Sequence, residues 1–313
     1  MRSMDERSRA LVGLGRALRD AGYSFVTVSP ETHRRVEARA AAAGHIQARS
    51  LRDVFGWSRP FEPGLLPAKM LDLARAADVL DEDAALLRSR VRFSSLRGEL
   101  FAHSAYPTLA ADSVFFGPDT YRFCDLVAAQ EPRARRVVDI GCGSGAGGII
   151  ASKRADHVVL ADINPSALAL AAVNAELAGI SGKVTTATSD VLAGVSGPID
   201  LVLANPPYMV DRASRTYRDG GGSFGEALAV RIAREALERL EPGGRLVLYT
   251  GAAVADGGTD TFLDAVRTVC SDANAEWTYW EIDPDVFGDE IEQNDAYAAV
   301  ERIAAVALVA TVR

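Results

Sequence analysis

The run Asn205-Pro206-Pro207-Tyr208 combines residue types that can hold a flat –NH2 group. It follows Ile199-Asp200-Leu201-Val202-Leu203-Ala204, which reads as a buried strand ending at a site. Two prolines directly after a strand lack N–H donors and cannot continue a central ladder, so Pro206 and Pro207 force a stiff turn. The Asn205 side-chain carbonyl and the Pro206 main-chain carbonyl can then point into one small space, with the Tyr208 ring beside them. An amide or aniline-like nitrogen is a poor nucleophile because its lone pair is delocalised. Two acceptors that hold both its hydrogens let that lone pair turn out of plane toward an electrophile. A plain proline-rich turn is the competing reading, and a tetrapeptide alone does not separate the two.

A second constellation lies upstream. Arg136-Val137-Val138-Asp139-Ile140 is an apolar strand that runs into Gly141-Cys142-Gly143-Ser144-Gly145-Ala146-Gly147-Gly148. A glycine-rich turn between strand and helix lets the backbone approach a ligand and presents free helix N–H groups. His157-Val158-Val159-Leu160-Ala161 reads as the next strand, with Asp162 at its end. An acid about 20 positions after such a loop is where doubly wound folds bind a ribose diol. Asp162 can also cap the helix that opens at Asn164-Pro165. The glycine spacing departs from the dinucleotide pattern and no phosphate-binding lysine follows, which argues against NAD and P-loop chemistry. Cys142, inside the loop, reads as a small buried filler.

Taken in order and at β-α-β spacing, D-I-G-C-G-S-G from Asp139 to Gly145, Asp162, Asp190 and the N-P-P-Y run resemble the successive motifs of class I S-adenosylmethionine-dependent methyltransferases, over roughly residues 110 to 313. The resemblance implies S-adenosyl-L-methionine as cofactor. It places the methionine part on Asp139, Gly141, Cys142, Gly143 and Gly145, and the ribose at Asp162 with Ile163 beside it. It puts Asp190 near the adenine amino group and Asn205 to Tyr208 beside the transferable methyl. Within the superfamily, N-P-P-Y resembles enzymes that methylate planar nitrogens: the release-factor glutamine N5-methyltransferases and the adenine N6-methyltransferases, with guanine N2 enzymes of ribosomal RNA close by. Tyr217-Arg218-Asp219-Gly220-Gly221-Gly222-Ser223-Phe224-Gly225 is similar to the D-G-G-x-x-G segment that opens the fourth helix of the glutamine group. Val114-Phe115-Phe116-Gly117-Pro118-Asp119-Thr120 resembles the segment covering the cofactor, which adds Phe116 and Thr120 to the cofactor-binding set. It lacks the proline-arginine-proline-glutamate signature of the typical release-factor enzymes.

The implied activity is methyl transfer to a planar nitrogen, with the glutamine side-chain amide of a protein as the leading acceptor. An exocyclic base amine (adenine N6 or guanine N2) in RNA or DNA is the second, and it would demand flipping the base. A small molecule is a third. A cofactor-binding module that has lost catalysis is the non-enzymatic option, against which the intact Asn205 clamp counts.

These residues need a sheet to bring them together. Strands are expected at 136–140, 157–161, 183–188, 199–204, 244–250, 276–282 and 303–311, with helices near 146–154, 165–178, 225–240 and 260–271. The alternation predicts an α/β fold: a Rossmann-like, seven-stranded, mostly parallel sheet with helices on both faces, the last two strands antiparallel. Ligands in such sheets bind at the carboxyl ends of the strands, where the glycine loop, Asp162, Asp190 and Asn205 all fall. Residues 106–313 make this catalytic domain. Residues 1–105 are expected to form a smaller, mainly helical accessory domain that docks substrate or simply caps the fold. Its helices are expected at 5–21, 30–43, 51–55, 68–79 and 82–90, before a hairpin of 91–94 with 99–102, an order that resembles a winged helix.

Composition bounds the function. The chain has 313 residues, 48% hydrophobic and 24% charged, as an ordinary globular protein does. It shows no apolar run of roughly 18 residues and no signal-peptide pattern, so neither a membrane span nor secretion is expected. Cys124, Cys142 and Cys270 are widely separated, which fits a reducing cytoplasm and neither a disulfide framework nor a zinc site. The four histidines show no metal-ligand spacing, and no metal is expected. Residues 1–110 carry 17 Lys and Arg against 13 Asp and Glu, whereas the rest carries 17 against 29. An acidic catalytic half suits a protein acceptor or a small amine better than a phosphate backbone, although nucleic acid stays possible. The segment 281–295 holds seven acids and no Lys or Arg, and reads as a solvated loop near the substrate mouth.

Overall fold

A computed structural model of the protein describes residues 4–83, 85–130, 133–211 and 218–313, with the side chains of residues 289, 290 and 293 left out of the account. The central sheet contains β5 (Ala134–Ile140), β6 (Ala155–Asp162), β7 (Val184–Thr188), β8 (Leu201–Ala204), β9 (Arg245–Ala255), β11 (Glu276–Asp283) and β12 (Val300–Thr311), with the two-residue β10 (Thr259–Asp260) paired to β9. Their order is β11-β12-β9-β8-β5-β6-β7. The pairs from β9 through β7 are parallel, and β12 runs antiparallel to both β9 and β11. Strand order reverses between β5 and β8, so the loops after these two strands face one crevice.

The strands read as near-continuous apolar runs because both sheet faces are covered. Val137, Val158, Leu160, Leu201 and Leu203 join one core with α5 (Pro118–Ala129), α6 (Ala146–Ala151) and α7 (Pro165–Leu177). Their neighbours Val138, Ile140, Val159, Ala161, Val202 and Ala204 join the other, with α8 (Ala227–Arg239) and α9 (Thr261–Asp272). The period-2 alternation of strand side chains sorts each strand between the two cores. A short α10 (Gly288–Gln293) precedes β12.

The N-terminal elements are α1 (Glu6–Asp20), α2 (Pro30–Ala42), α3 (Leu51–Phe55), α4 (Ala68–Ala76) and two hairpins, β1 (Leu80–Asp83) with β2 (Leu86–Ser89), and β3 (Val91–Leu96) with β4 (Glu99–Ser104). The helix expected over 82–90 is therefore a hairpin. Leu87 exchanges both backbone hydrogen bonds with Phe61, at 2.8 Å each, and both side chains are buried. Tertiary pairing outweighs the helix propensity of that alanine- and leucine-rich stretch. The N-terminal core closes over Val173 and Leu177 of α7, so this layer leans on the sheet-flanking helix.

Candidate active site

The cavity at the strand ends has a volume of about 400 Å3. Cofactor and ligand pockets typically fall in this range. The β5–α6 loop forms its floor. Gly141 and Gly143 take φ of +60° and +53°, a region that favours glycine. A Cβ at Gly141 would meet nothing within 4 Å, and one at Gly143 only Val114 at 3.9 Å. Both lie along the cavity wall, so this stretch offers bare backbone to a ligand. Gly145 (φ +78°) departs from its expected place. It is not among the cavity-lining residues, and a Cβ there would press on Leu160 at 3.0 Å and Ala171 at 3.2 Å. Its smallness lets α7 and β6 approach the start of α6.

Two buried acids flank the loop. Asp139 accepts from the Gly148 N–H at 2.7 Å, and burial pushes its carboxyl up to about 7, helped by the charge of Asp162 and opposed by that hydrogen bond. Asp162 accepts from Gly143 N–H (2.9 Å) and Asn164 N–H (2.8 Å), and burial raises it despite these donors. A carboxylate offers about four lone-pair sites, so both Asp162 oxygens keep capacity for a diol. Ile163, half exposed, and Cys142, buried with its thiol pushed up by burial, also line the cavity.

Asp190 lines the cavity too, but its carboxylate has a bidentate partner. Arg231 on α8 donates to its two oxygens at 2.9 and 3.0 Å. The next residue, Val191, sits buried at φ +49°, a strained conformation for a β-branched side chain. The Asp190 carboxylate is largely exposed and, like that of Asp162, has one donor on each oxygen.

Thr120 lines the cavity and its hydroxyl accepts from the Gly117 N–H. Phe116 does not line it. Its ring turns into the N-terminal layer, stacked on His103 with centroids 4.8 Å apart, and Phe115 takes the cavity wall instead. Consecutive residues of an extended segment face opposite ways, so choosing between two adjacent phenylalanines needed the backbone orientation.

The turn after β8 brings Asn205, Pro206, Pro207 and Tyr208 to the cavity together. The Asn205 side chain has no hydrogen-bond partner among the described residues. Tyr208 is 6% exposed, and its hydroxyl donates to Asp119 Oδ2 at 2.7 Å. Tyr249 on β9 donates to the other oxygen at 2.7 Å, and Arg122 reaches both Asp119 and Asp283. This network ties α5, the proline turn, β9 and β11 to one another. Sequence reasoning missed Asp119 as an anchor, together with Tyr249, Arg122 and Asp283.

Glycines let the chain close behind the turn. A Cβ on Gly251 would lie 2.1 Å from Tyr208 Cδ2, and one on Gly225 would lie 2.1 Å from the Tyr208 carbonyl oxygen. A Cβ on Gly220 would lie 2.0 Å from the Gly225 carbonyl oxygen and 2.7 Å from that of Pro207. The D-G-G-x-x-G segment therefore packs directly on N-P-P-Y. Tyr217, the first residue quoted for it, lies outside the described residues. Downstream, Tyr297 accepts from the Val210 N–H at 2.8 Å and Asn294 donates to its carbonyl at 3.0 Å. In the acidic stretch before them, Asp283 pairs with Arg122 and Glu281 with Arg302, so it is in part internally neutralised.

Residues 125–256 match the family model described as Methyltransferase small domain. With the doubly wound sheet and its glycine-lined cavity, this defines a class I S-adenosylmethionine-dependent methyltransferase. The chain is 31% identical over 231 residues to the release factor glutamine methyltransferase of Cereibacter sphaeroides, a match spanning 69% of this chain and 82% of that protein. It is 32% identical over 224 residues to the release factor glutamine methyltransferase of Deinococcus radiodurans, spanning 69% and 77%. The chain belongs to the release factor glutamine methyltransferase family. Among solved structures, Methanocaldococcus jannaschii Trm5 in complex with adenosine shares the fold, with a TM-score of 0.50 at 18% identity, covering 72% of this chain and 56% of that one.

The residues present fit the cofactor. Gly141 and Gly143 leave bare backbone along the cavity wall, and the Asp162 carboxylate beside them has spare capacity to accept from hydroxyl groups. Among the described residues no helix is long and apolar enough to cross a membrane, and no cluster of His, Cys, Asp or Glu could hold a metal ion.

Proposed function

We propose that the enzyme methylates the side-chain amide nitrogen of a glutamine in a protein. The observation that carries this reading is the Asn205 side chain, which has no hydrogen-bond partner among the described residues, at the end of β8 in a cavity where the neighbouring polar side chains Asp162, Asp190 and Tyr208 are hydrogen-bonded. The kinship of the chain with glutamine methyltransferases supports the amide over other planar nitrogens.

When bound, S-adenosylmethionine supplies a sulfonium-activated methyl group. The protein's part is position and electrostatics. Gly141, Cys142 and Gly143 offer backbone to the amino-acid end, Asp162 accepts the ribose hydroxyls, and the Asp190–Val191 turn borders the base. Asn205 Oδ1 and the Pro206 carbonyl accept the two amide hydrogens. Tyr208, held by Asp119, supplies the surface on which the planar group rests. As the nitrogen becomes cationic, these acceptors stabilise the charge, and one proton leaves to water or a backbone acceptor. No strong base is required.

Residues 1–105 serve in this reading as a substrate-docking domain beside the catalytic domain of residues 106–313, because Pro30 of this layer reaches the cavity rim. The test is incubation with S-adenosylmethionine carrying a labelled methyl group and a fractionated bacterial lysate. Label mapped to a glutamine in protease-sensitive material supports the proposal. Label only in nuclease-sensitive material transfers the case to a base amine.

A further inference from the structure

Arg92 on β3 is 4% exposed, and its Nε and Nη2 find no hydrogen-bond partner among the described residues. Nor does it form an ion pair with any of them. Buried arginines are as a rule paired, because a guanidinium carries five N–H donors and a full charge. Here the groups that favour its charge are only the phenols of Tyr23, Tyr121 and Tyr106. The Phe25 ring lies 5.2 Å from its guanidinium carbon. That contact engages the face of the guanidinium and leaves its in-plane hydrogens unmet. Burial pulls Arg92 down to about 10, so it is still cationic at neutral pH. His33 is held neutral, near 4, by burial and by the charges of Arg92 and Arg59, and its Nδ1 is likewise without a partner. This pocket of the N-terminal layer is positive and lacks an acid.

Beside Arg92 lies a cavity of about 30 Å3, with Thr27, Ser104, Tyr106 and Thr108 among its walls. It has room for a headgroup and not for a whole metabolite. Pro30, Tyr106, Thr108 and Phe115 line both this cavity and the methyl-transfer cavity, so the two adjoin. Arg92 is among the walls of this small recess and no acid is, so the recess matches a carboxylate in sign, and the planar guanidinium matches it in shape.

We infer that this recess is a carboxylate-binding site with Arg92 as its anchor, entered from the methyl-transfer cavity. The carboxylate comes from the methyl acceptor or from a free small acid. The first source rests on the methyl-transfer reading above, whereas the site itself does not.

Sodium formate against sodium chloride, at equal ionic strength, tests the site on the full chain. Formate should raise the unfolding midpoint above chloride, Arg92→Met should abolish the difference, and Arg92→Lys, which keeps charge without the fork, should reduce it. Equal midpoints in the two salts for the unsubstituted protein overturn the site, whether or not either variant folds. Calorimetry with S-adenosylmethionine should show the same affinity in Arg92→Lys as in the unsubstituted protein. A loss there would assign the anchor to the cofactor's own carboxylate and overturn a separate site. Labelling of a protein fraction then separates the sources. If the acceptor supplies the carboxylate, formate inhibits and Arg92→Met lowers labelling at sub-saturating acceptor by roughly 30-fold, the order expected for removing one partner of a buried charge pair. If a free acid supplies it, formate leaves labelling unchanged. Absence of label in every fraction would count against methyl transfer while the formate result stands.

Discussion

Gly251→Ala is a sharp probe of whether Tyr208 must hold one position. Gly251 lies within β9, where a glycine weakens a strand unless something needs its space. The added methyl would sit 2.1 Å from Tyr208 Cδ2 and 2.3 Å from Cε2. Ordinary carbon contacts begin near 3.5 Å, so the ring or the strand must shift by more than about 1 Å. The ring is not free to yield, because its hydroxyl is bonded to Asp119 at 2.7 Å and the turn before it is fixed by two prolines. Overpacking of this kind costs about 1–3 kcal/mol of stability. A displacement of about 1 Å near the reacting group costs roughly a hundredfold in turnover. Gly251→Ala should therefore fold, bind S-adenosylmethionine within about twofold of the unsubstituted affinity by calorimetry, and lose about two orders of magnitude in kcat. Gly64→Ala, where nothing lies within 4 Å, is the control and should match the parent. If Gly251→Ala kept half of the parental turnover, the fixed Tyr208 platform would be wrong.

Asn205→Ala should lower kcat by about 10²–10³-fold, the size of losing one preorganised hydrogen bond to developing charge, with cofactor affinity nearly unchanged; equal losses in both would remove its assigned role. Asp162→Ala should weaken cofactor binding by roughly 10–100-fold, since hydrogen bonds to a charged group contribute about 1.5–3 kcal/mol; an unchanged calorimetric Kd would refute the ribose assignment. Burial raises the Asp139 carboxyl in the folded protein to about 7 from its ordinary value of 3.8. The native state then binds more protons than the unfolded chain between these values, so this group's contribution is full below pH 4 and is lost as pH rises through about 7. Asp139→Asn keeps an acceptor for Gly148 and should flatten that slope, by at most about 4 kcal/mol across the window; identical pH profiles of the unfolding midpoint in both proteins would refute the buried-acid account.

The sheet was legible because its strands are apolar on both faces and its loops are marked by glycine and proline. Val137-Val138 and Leu201-Val202-Leu203-Ala204 could only be interior strands, and Gly141 and Gly143 could only border a close approach. The β1–β2 hairpin was not legible. Its residues favour helix, and what decides the matter is Phe61, some 25 positions away, pairing with Leu87. Helix α5 was read only as a cofactor cover, because Pro118 and Gly117 speak for a turn while also being good first-turn residues. The anchoring of Tyr208 is invisible for a different reason. Asp119 meets it across 89 positions and Tyr249 across 130, and no local pattern encodes such contacts. Phe116 shows the limit at its finest: the segment borders the cavity, but the residue that faces it is the neighbouring Phe115.

The chemistry of the two connected cavities can be located by asking which polar groups the fold leaves unsatisfied. Orphaned buried polar groups cost about 1–3 kcal/mol each, so a folded chain retains one only where something else completes it. Asp162 has its two N–H donors, Asp190 has Arg231, and Tyr208 and Tyr249 share Asp119. Among the described residues, Arg92 is a buried side chain with unmet donors, and the half-buried Asn205 side chain has no hydrogen-bond partner; both border these spaces. They are opposite in demand: the Asn205 carbonyl seeks hydrogens on nitrogen, and Arg92 seeks anionic oxygen. A polypeptide acceptor would meet both demands with a glutamine amide at β8 and an acidic side chain or chain end beside β3, whereas a nucleotide acceptor would meet Arg92 only with a phosphate. A carboxylate-dependent KM without any change in cofactor affinity is the result that would join the two sites.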